Sequence, residues 1–251
     1  MPWFEVRDLV KKYPLGGKQV HALNGVSFDL DRGDFVAIVG RSGSGKTTLL
    51  RILAGLVHKS SGSLFLDGEE LQDGDYYRVG MVFQEPRLMP WLTVEKNILF
   101  PFLNGNKKDL PIARAQQLLE ILGLTAFKNA YPSQLSGGMA QRVALGRMLC
   151  YDPELILMDE PLSALDYFTR RSLQEEILHL HKQGGKTMLL VTHDVEEAIL
   201  LSKRIFILDE GRLIDSIHVD LPYPRNRSSQ GFFSLWERIL SLIEKGAHGE
   251  S

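Results

Sequence analysis

The chain has a single cysteine, Cys150, in 251 residues. One thiol cannot build an intrachain disulfide framework, so the fold must rest on its apolar core, and such cysteine usage fits a reducing compartment. A lone thiol reads as an ordinary buried side chain rather than a reactive one. Long apolar runs are also missing: "ILFPFL" at 98–103 is one of the longest, against the roughly 20 residues that span a bilayer. Any tie to a membrane must therefore be borrowed from a partner. Nor does one sign of charge dominate, because 29 basic and 31 acidic residues are intermingled for a net charge of −2. That balance argues against a nucleic-acid-binding or polyanionic tail. The start, "MPWFEVRDLVKKYP", carries charges where a secretory signal needs an apolar stretch, which predicts no export. There is no internal repeat and no low-complexity stretch.

What the chain does have is apolar content, 44%, enough for a sizeable core in one large or two small domains. In "GVSFDLDRG", Val26, Phe28 and Leu30 alternate with Ser27, Asp29 and Asp31, the period of a strand with one wet face. The N-terminal region is therefore expected to be antiparallel and half exposed. By contrast "FVAIVG", "ELILMDE", "TMLLVTHD" and "RIFIL" are nearly continuous apolar runs, as strands covered on both faces require. The pattern predicts an α/β fold with a largely parallel sheet. After "FVAIVG", Leu49, Ile52, Leu53 and Leu56 mark one face of a helix that starts at a glycine-rich loop. Between Phe83 and Cys150 the strand pattern disappears, and Ile112, Ala115, Leu118, Leu119 and Leu122 form one helical stripe. The expected organisation is an α/β core from 1–85 and 151–220, a helical subdomain inserted at 86–150, and a linker with a last helix at 221–251.

"GRSGSGKT", Gly40 to Thr47, fits GxxxxGK[ST] between a strand and a helix. Gly40, Arg41, Ser42, Gly43, Ser44 and Gly45 let successive backbone N–H groups curl around phosphate oxygens while the following helix points its positive end at them. Lys46 suits the β and γ phosphates, and Thr47, followed by Thr48, offers a hydroxyl to Mg²⁺. "LILMDEP" ends an apolar strand in two carboxylates that project to opposite sides. Asp159 suits a water-mediated contact to Mg²⁺, and Glu160 suits polarising a water in line with the γ-phosphate. His193 in "LLVTHD" and Gln84 in "MVFQEP" also follow strands, at the sheet edge where ligands gather. Alone, such a histidine reads first as a satisfied core residue, and a lone glutamine is usually a surface amide, although Gln84 is placed to reach Mg²⁺ and the water. Tyr13 suits both stacking on a base and plain packing.

In this order, "GRSGSGKTT", "VFQEP", "LSGGMAQR", "LILMDEP", "SALD" and "VTHD" resemble the ATP-binding cassette family, the ATPase subunits of membrane transporters, nearly throughout the chain to about residue 220. The resemblance implies a P-loop NTPase core that binds ATP and Mg²⁺. It also implies that the second anion-binding loop serves a partner: Ser136, Gly137 and Gly138 close over the ATP held by a second copy in a head-to-tail dimer. A glycine pair opening the helix "GMAQRVALGRML" agrees, since its N–H groups and dipole face outward to an anion. By the same resemblance Asp166 ties the two sites, Tyr13 stacks on adenine and His193 touches the γ-phosphate. Met139 and Ala140 depart from the family, which often has a glutamine directly after the glycines.

Without a membrane span, the resemblance implies a bacterial importer engine on the cytoplasmic side of the membrane. A separate permease would hold it there, and a solute-binding protein would be linked indirectly. "VFQEPRLMPWLTVEKNI", "YPSQLSGGMAQRVALGR" and "VTHDVEEAILLSKRIFIL" are similar to the nitrate, sulfonate and taurine importer group; cassettes serving thiamine-type pyrimidine precursors share much of this wording. Soluble cassette ATPases of DNA repair or iron–sulfur assembly carry the same motifs, but the repair types need long coiled coils, absent here. A small-molecule P-loop kinase would lack "LSGG". The exposed-looking "PRLMPW" at 86–91 and the nearby "ILFPFL" are expected to face the permease or to be buried within the helical subdomain. In the last helix, Phe232, Trp236, Ile239, Leu240 and Ile243 share a face suited to docking on the chain's own domain, a membrane surface or a partner.

Overall fold

A computed structural model describes residues 2–72, 75–104, 110–163 and 165–246. The chain forms two compact units, one from Met1–Tyr76 with His181–Ser251 and one from Tyr77–Leu180.

In the first unit, β1 (Phe4–Leu15) and β2 (Lys18–Leu30) pair antiparallel across a two-residue turn. Gly16 and Gly17 both have positive φ, the geometry that matches strand twist in a tight hairpin. β4 (Ser61–Leu66) pairs with the other edge of β1, and Asp67 and Gly68, also at positive φ, turn it into β5 (Glu69–Glu70). The expected alternation holds here, with Val26, Phe28 and Leu30 buried and Ser27 exposed. The second layer has strand order β10-β9-β3-β8. β3 (Phe35–Val39) lies parallel to β8 (Thr187–Val191) and β9 (Arg204–Asp209), and every residue of β3 and β8 is buried. β10 (Arg212–His218) returns antiparallel on β9.

α1 runs Lys46–Leu53, shorter than the apolar pattern implied. Gly55 at φ +70 follows the helix end, where a Cβ would lie 2.4 Å from the Tyr76 ring, so Leu56 falls outside the helix and is exposed. α6 (Val195–Leu201) is capped by the Asp194 carboxylate, which accepts from the N–H groups of Glu196 and Glu197. α7 (Gln230–Gly246) buries Phe232 and Ile239, while Trp236, Leu240 and Ile243 remain partly exposed. The segment before it is anchored by the buried Arg225, whose guanidinium donates to the carbonyls of Ile199, Ser202, Val219 and Leu221.

In the second unit, β6 (Val79–Val82) and β7 (Leu155–Asp159) pair parallel. Between them the described residues form helices: α2 (Val94–Ile98), α3 (Ile112–Ile121), α4 (Gly137–Tyr151) and short 3₁₀ turns, before α5 (Tyr167–Gly184). Ala115, Leu118, Leu119 and Leu122 are buried as the stripe predicts, but Ile112, at the helix start, is exposed. "ILFPFL" splits: Ile98 and Leu99 are buried and Phe100 is exposed. Among the described residues no helix is long and apolar enough to cross a membrane.

Candidate active site

The first unit holds the phosphate loop. β3 ends at Val39 and the chain crosses Gly40 to Gly45 before α1 begins at Lys46. Two glycines are demanded by close approach: a Cβ on Gly40 would lie 2.0 Å from the Leu208 carbonyl oxygen, and one on Gly45, at φ +104, 2.3 Å from that of Ala22. Lys46 is buried, and its Nζ donates to the Gly40 and Arg41 carbonyls at 2.9 and 2.8 Å. The ammonium is thus held on the loop itself. Ser44 Oγ is buried with no hydrogen-bond partner, which is costly unless a ligand supplies one. α1 has no acidic residue in its first turn, so the positive field at its start is unopposed. An orphaned hydroxyl, a seated lysine and an open helix start fit a phosphate group.

Strand register places two further candidates near this loop. Ile38 pairs with Val191 in the parallel sheet, so His193, two residues beyond, lies level with Gly40 at the end of the neighbouring strand, about 5 Å away laterally. His193 is exposed there, just before the α6 cap. On the other side, Lys11 pairs with Leu23 but Lys12 with His21, which leaves Ala22 as a bulge. A bulge re-aims the backbone, and here the Ala22 carbonyl meets Gly45 and also Gly211. Tyr13 pairs with Val20, about 7 Å along the strand from that bulge.

The second unit holds the acidic candidates Asp159 and Glu160 and the "LSGG" segment. Asp159, the last residue of β7, is buried, and Glu160 follows at φ +44, a strained conformation for a residue with a Cβ. Ser163 stabilises that turn: its Oγ donates to the Glu160 carbonyl at 3.0 Å. The same Oγ accepts from Gln84 Nε2 at 3.2 Å. Val82 pairs with Met158, so Gln84 and Glu160 each stand two residues beyond a matched pair, at the same level. Ser163 was not singled out from the sequence, although a serine three residues after a turn acid is the local signal for such a bond.

Ser136 caps α4, with Oγ accepting from the Met139 N–H at 3.3 Å. Nothing lies within 4 Å of a Cβ on Gly137, whereas one on Gly138 would meet Thr169 Cγ2 at 2.4 Å. The two glycines therefore differ: the first leaves an open approach and the second allows α4 to pack close. Asp166 Oδ1 accepts from the N–H groups of Phe168 and Thr169 at 3.1 Å each. Hydrogen bonding to Thr169 first, and to the neighbouring backbone, holds its carboxyl below the usual range. It has a capping role within its own chain whatever it does across an interface. Arg147 and Gln141 of α4 were also missed. Arg147 donates to the Pro86 and Arg87 carbonyls at 3.0 Å, and Gln141 to that of Phe83 at 3.2 Å. They pin the loop that carries Gln84, and burial lowers the Arg147 pKa.

A family model described as ABC transporter matches residues 23–163. The aliphatic sulfonates import ATP-binding protein of Bacillus cereus (strain ATCC 10987 / NRS 248) is 43% identical over 233 residues, 91% of each chain. The taurine import ATP-binding protein of Pelagibacter ubique (strain HTCC1062) is 44% identical over 248 residues, covering 94% of this chain and 92% of that one. Among solved structures, an ATP-binding cassette dimer in a post-hydrolysis state, bound to ADP and Pi, superposes with a TM-score of 0.77 at 32% identity. That match covers 86% of this chain and 98% of the other. The sequence match, the P-loop NTPase fold and the phosphate loop agree: the chain belongs to the ABC transporter family, as one of its ATP-hydrolysing subunits.

Proposed function

We propose that this ATPase drives an importer for sulfonate- or taurine-type solutes, nitrate included, from the cytoplasmic face of the membrane, where a separate permease would hold it. The observation that carries the solute class is the likeness, along more than nine-tenths of each chain, to ATP-binding subunits of sulfonate and taurine import. In this reading 1–85 and 151–220 form the catalytic core, 86–150 is the helical subdomain whose "PRLMPW" and "ILFPFL" segments face the permease, and 221–251 is a linker with a helix docked on its own domain. Two copies would associate head to tail, with Ser136, Gly137, Gly138 and Asp166 of one facing the phosphate loop of the other.

The loop N–H groups from Gly40 to Thr48 and Lys46 Nζ neutralise the phosphates, and Tyr13 receives the base. Mg²⁺ keeps waters and takes few carboxylates, and the Thr47 hydroxyl, the Gln84 amide oxygen and, through water, Asp159 are each of the oxygen-donor type that would suit it. When bound, Mg²⁺ offsets charge developing on the transferring phosphate. Glu160 accepts the proton of the attacking water, and His193 donates a hydrogen bond to the γ-phosphate as the water adds. The Ser163 hydroxyl bridges the Glu160 carbonyl and the Gln84 amide, which ties the two segments together at one level.

The test is growth of a deletion strain. Loss of growth on an alkanesulfonate or taurine as sole sulfur source, or on nitrate as sole nitrogen source, is expected. Normal growth on all of them, with a new need for a pyrimidine vitamin precursor, would transfer the assignment to that solute class. Copurifying soluble proteins in place of membrane components would point to a non-transport ATPase.

A further inference from the structure

One ring face of Tyr13 is already taken. Lys11 lies two residues earlier on β1, hence on the same side of the strand, and its ammonium sits 4.8 Å from the Tyr13 ring centroid. The same Nζ donates to the His58 carbonyl at 2.7 Å. That carbonyl is fastened in turn, because Ser60 N donates to the Val10 carbonyl at 2.8 Å and Lys12 N to Ser60 Oγ at 3.0 Å. A cation within about 6 Å of an aromatic face is attracted to it. Tied also to a fixed carbonyl, this one limits where the ring can swing. It draws π density towards itself and leaves the far face less negative, the better partner for an electron-rich purine. Tyr13 is 38% exposed, so the residue is accessible to a ligand.

We propose that Lys11 is a positioning residue for the nucleotide base, which holds and polarises the Tyr13 ring from behind without touching the nucleotide. The proposal rests on the reading of Tyr13 as the base-stacking residue. A merely structural lysine, one that only ties segment 58–60 to β1, would influence stability and not base recognition.

The test is binding by the full-length chain, with Mg²⁺, of ADP and of tripolyphosphate, which offers phosphates and no base. Lys11→Met keeps the apolar stem and removes the charge. It is expected to weaken ADP binding about two- to five-fold, the size of one exposed cation–π contact, and to leave tripolyphosphate binding unchanged; Lys11→Arg should restore ADP affinity. In a Tyr13→Ala background the same change should cost nothing further. An equal loss for both ligands, an unchanged ADP affinity, or a loss that persists without Tyr13 would each overturn the proposal. If Tyr13→Ala itself leaves ADP affinity intact, the stacking reading fails and the proposal falls with it. If Tyr13→Ala weakens ADP binding and Lys11→Met does not, only the proposal fails.

Discussion

Glu160 sits at φ +44 immediately after a fully buried strand, with its carbonyl held by Ser163 and Ser163 joined to Gln84. Such a residue is held in place by its neighbours rather than by its own preference. The side chain can thus be changed without altering the turn, provided the shape is kept. Glu160→Gln should lower steady-state phosphate release by on the order of 10²–10⁴-fold, the usual worth of a general base, while nucleotide binding survives. Phosphate release at the unmodified rate, together with normal nucleotide affinity, would remove Glu160 as the base and leave His193 as the first candidate. The identity of Asp159 and Glu160 was legible because two acids close an apolar run. The strain and the Ser163 bridge were not, because φ at Glu160 and the approach of Gln84 depend on a strand more than 70 residues earlier in the chain.

At the scale of elements, the loop from Phe83 to Thr93 shows how a segment with little regular structure is made definite. Asn97, fully buried on α2, accepts from the Met89 N–H at 2.8 Å and donates to the carbonyls of Met89, Leu92 and Thr93. Arg147 and Gln141 tie the other end, and the Arg87 guanidinium covers the Phe83 ring at 4.1 Å. Held in this way, the loop presents Trp91 at 69% exposure with Leu88 half-buried, an unusual place for a large aromatic unless a partner covers it. Leu88→Asp combined with Trp91→Asp should abolish copurification with membrane components while ATP binding stays within about two-fold, since no phosphate-loop residue is touched. Undiminished membrane association would sink the permease-facing reading. The apolar wording of "PRLMPW" marked the segment; which of its residues face outward was decided by Asn97, a polar residue that no hydrophobic pattern flags.

At the scale of the molecule, the starts of α1 and α4 both lack acidic residues in the first turn, so neither helix end is opposed by a local negative charge. If they serve one pocket made from two copies, damage to each start should segregate on mixing. Lys46→Ala would remove the ammonium that faces the transferring phosphate in this reading, and Ser136→Arg would block close approach of the partner's loop. Each homodimer should be inactive. An equal mixture should regain about a quarter of the working pockets, from random pairing in a two-fold assembly with one intact site per mixed dimer. Mixed dimers that form with ATP yet protect none of it would contradict the shared pocket.

The sequence by itself determined whatever depends on neighbours a few residues apart: the phosphate loop and its helix, the buried strands, the serine cap of α4, and through their order the family. Those features are local because backbone conformation and hydrogen bonds over one turn are set by residue type and spacing. Only the tertiary structure decided the Ala22 bulge that seats Gly45, the burial of Arg225 among four carbonyls, the shortening of α1 at Gly55 against the Tyr76 ring, and the tie of Lys11 to the His58 carbonyl. Each is a contact between segments distant in the chain. Its geometry follows from which surfaces must exclude water together, and a linear pattern of residue types does not carry that information.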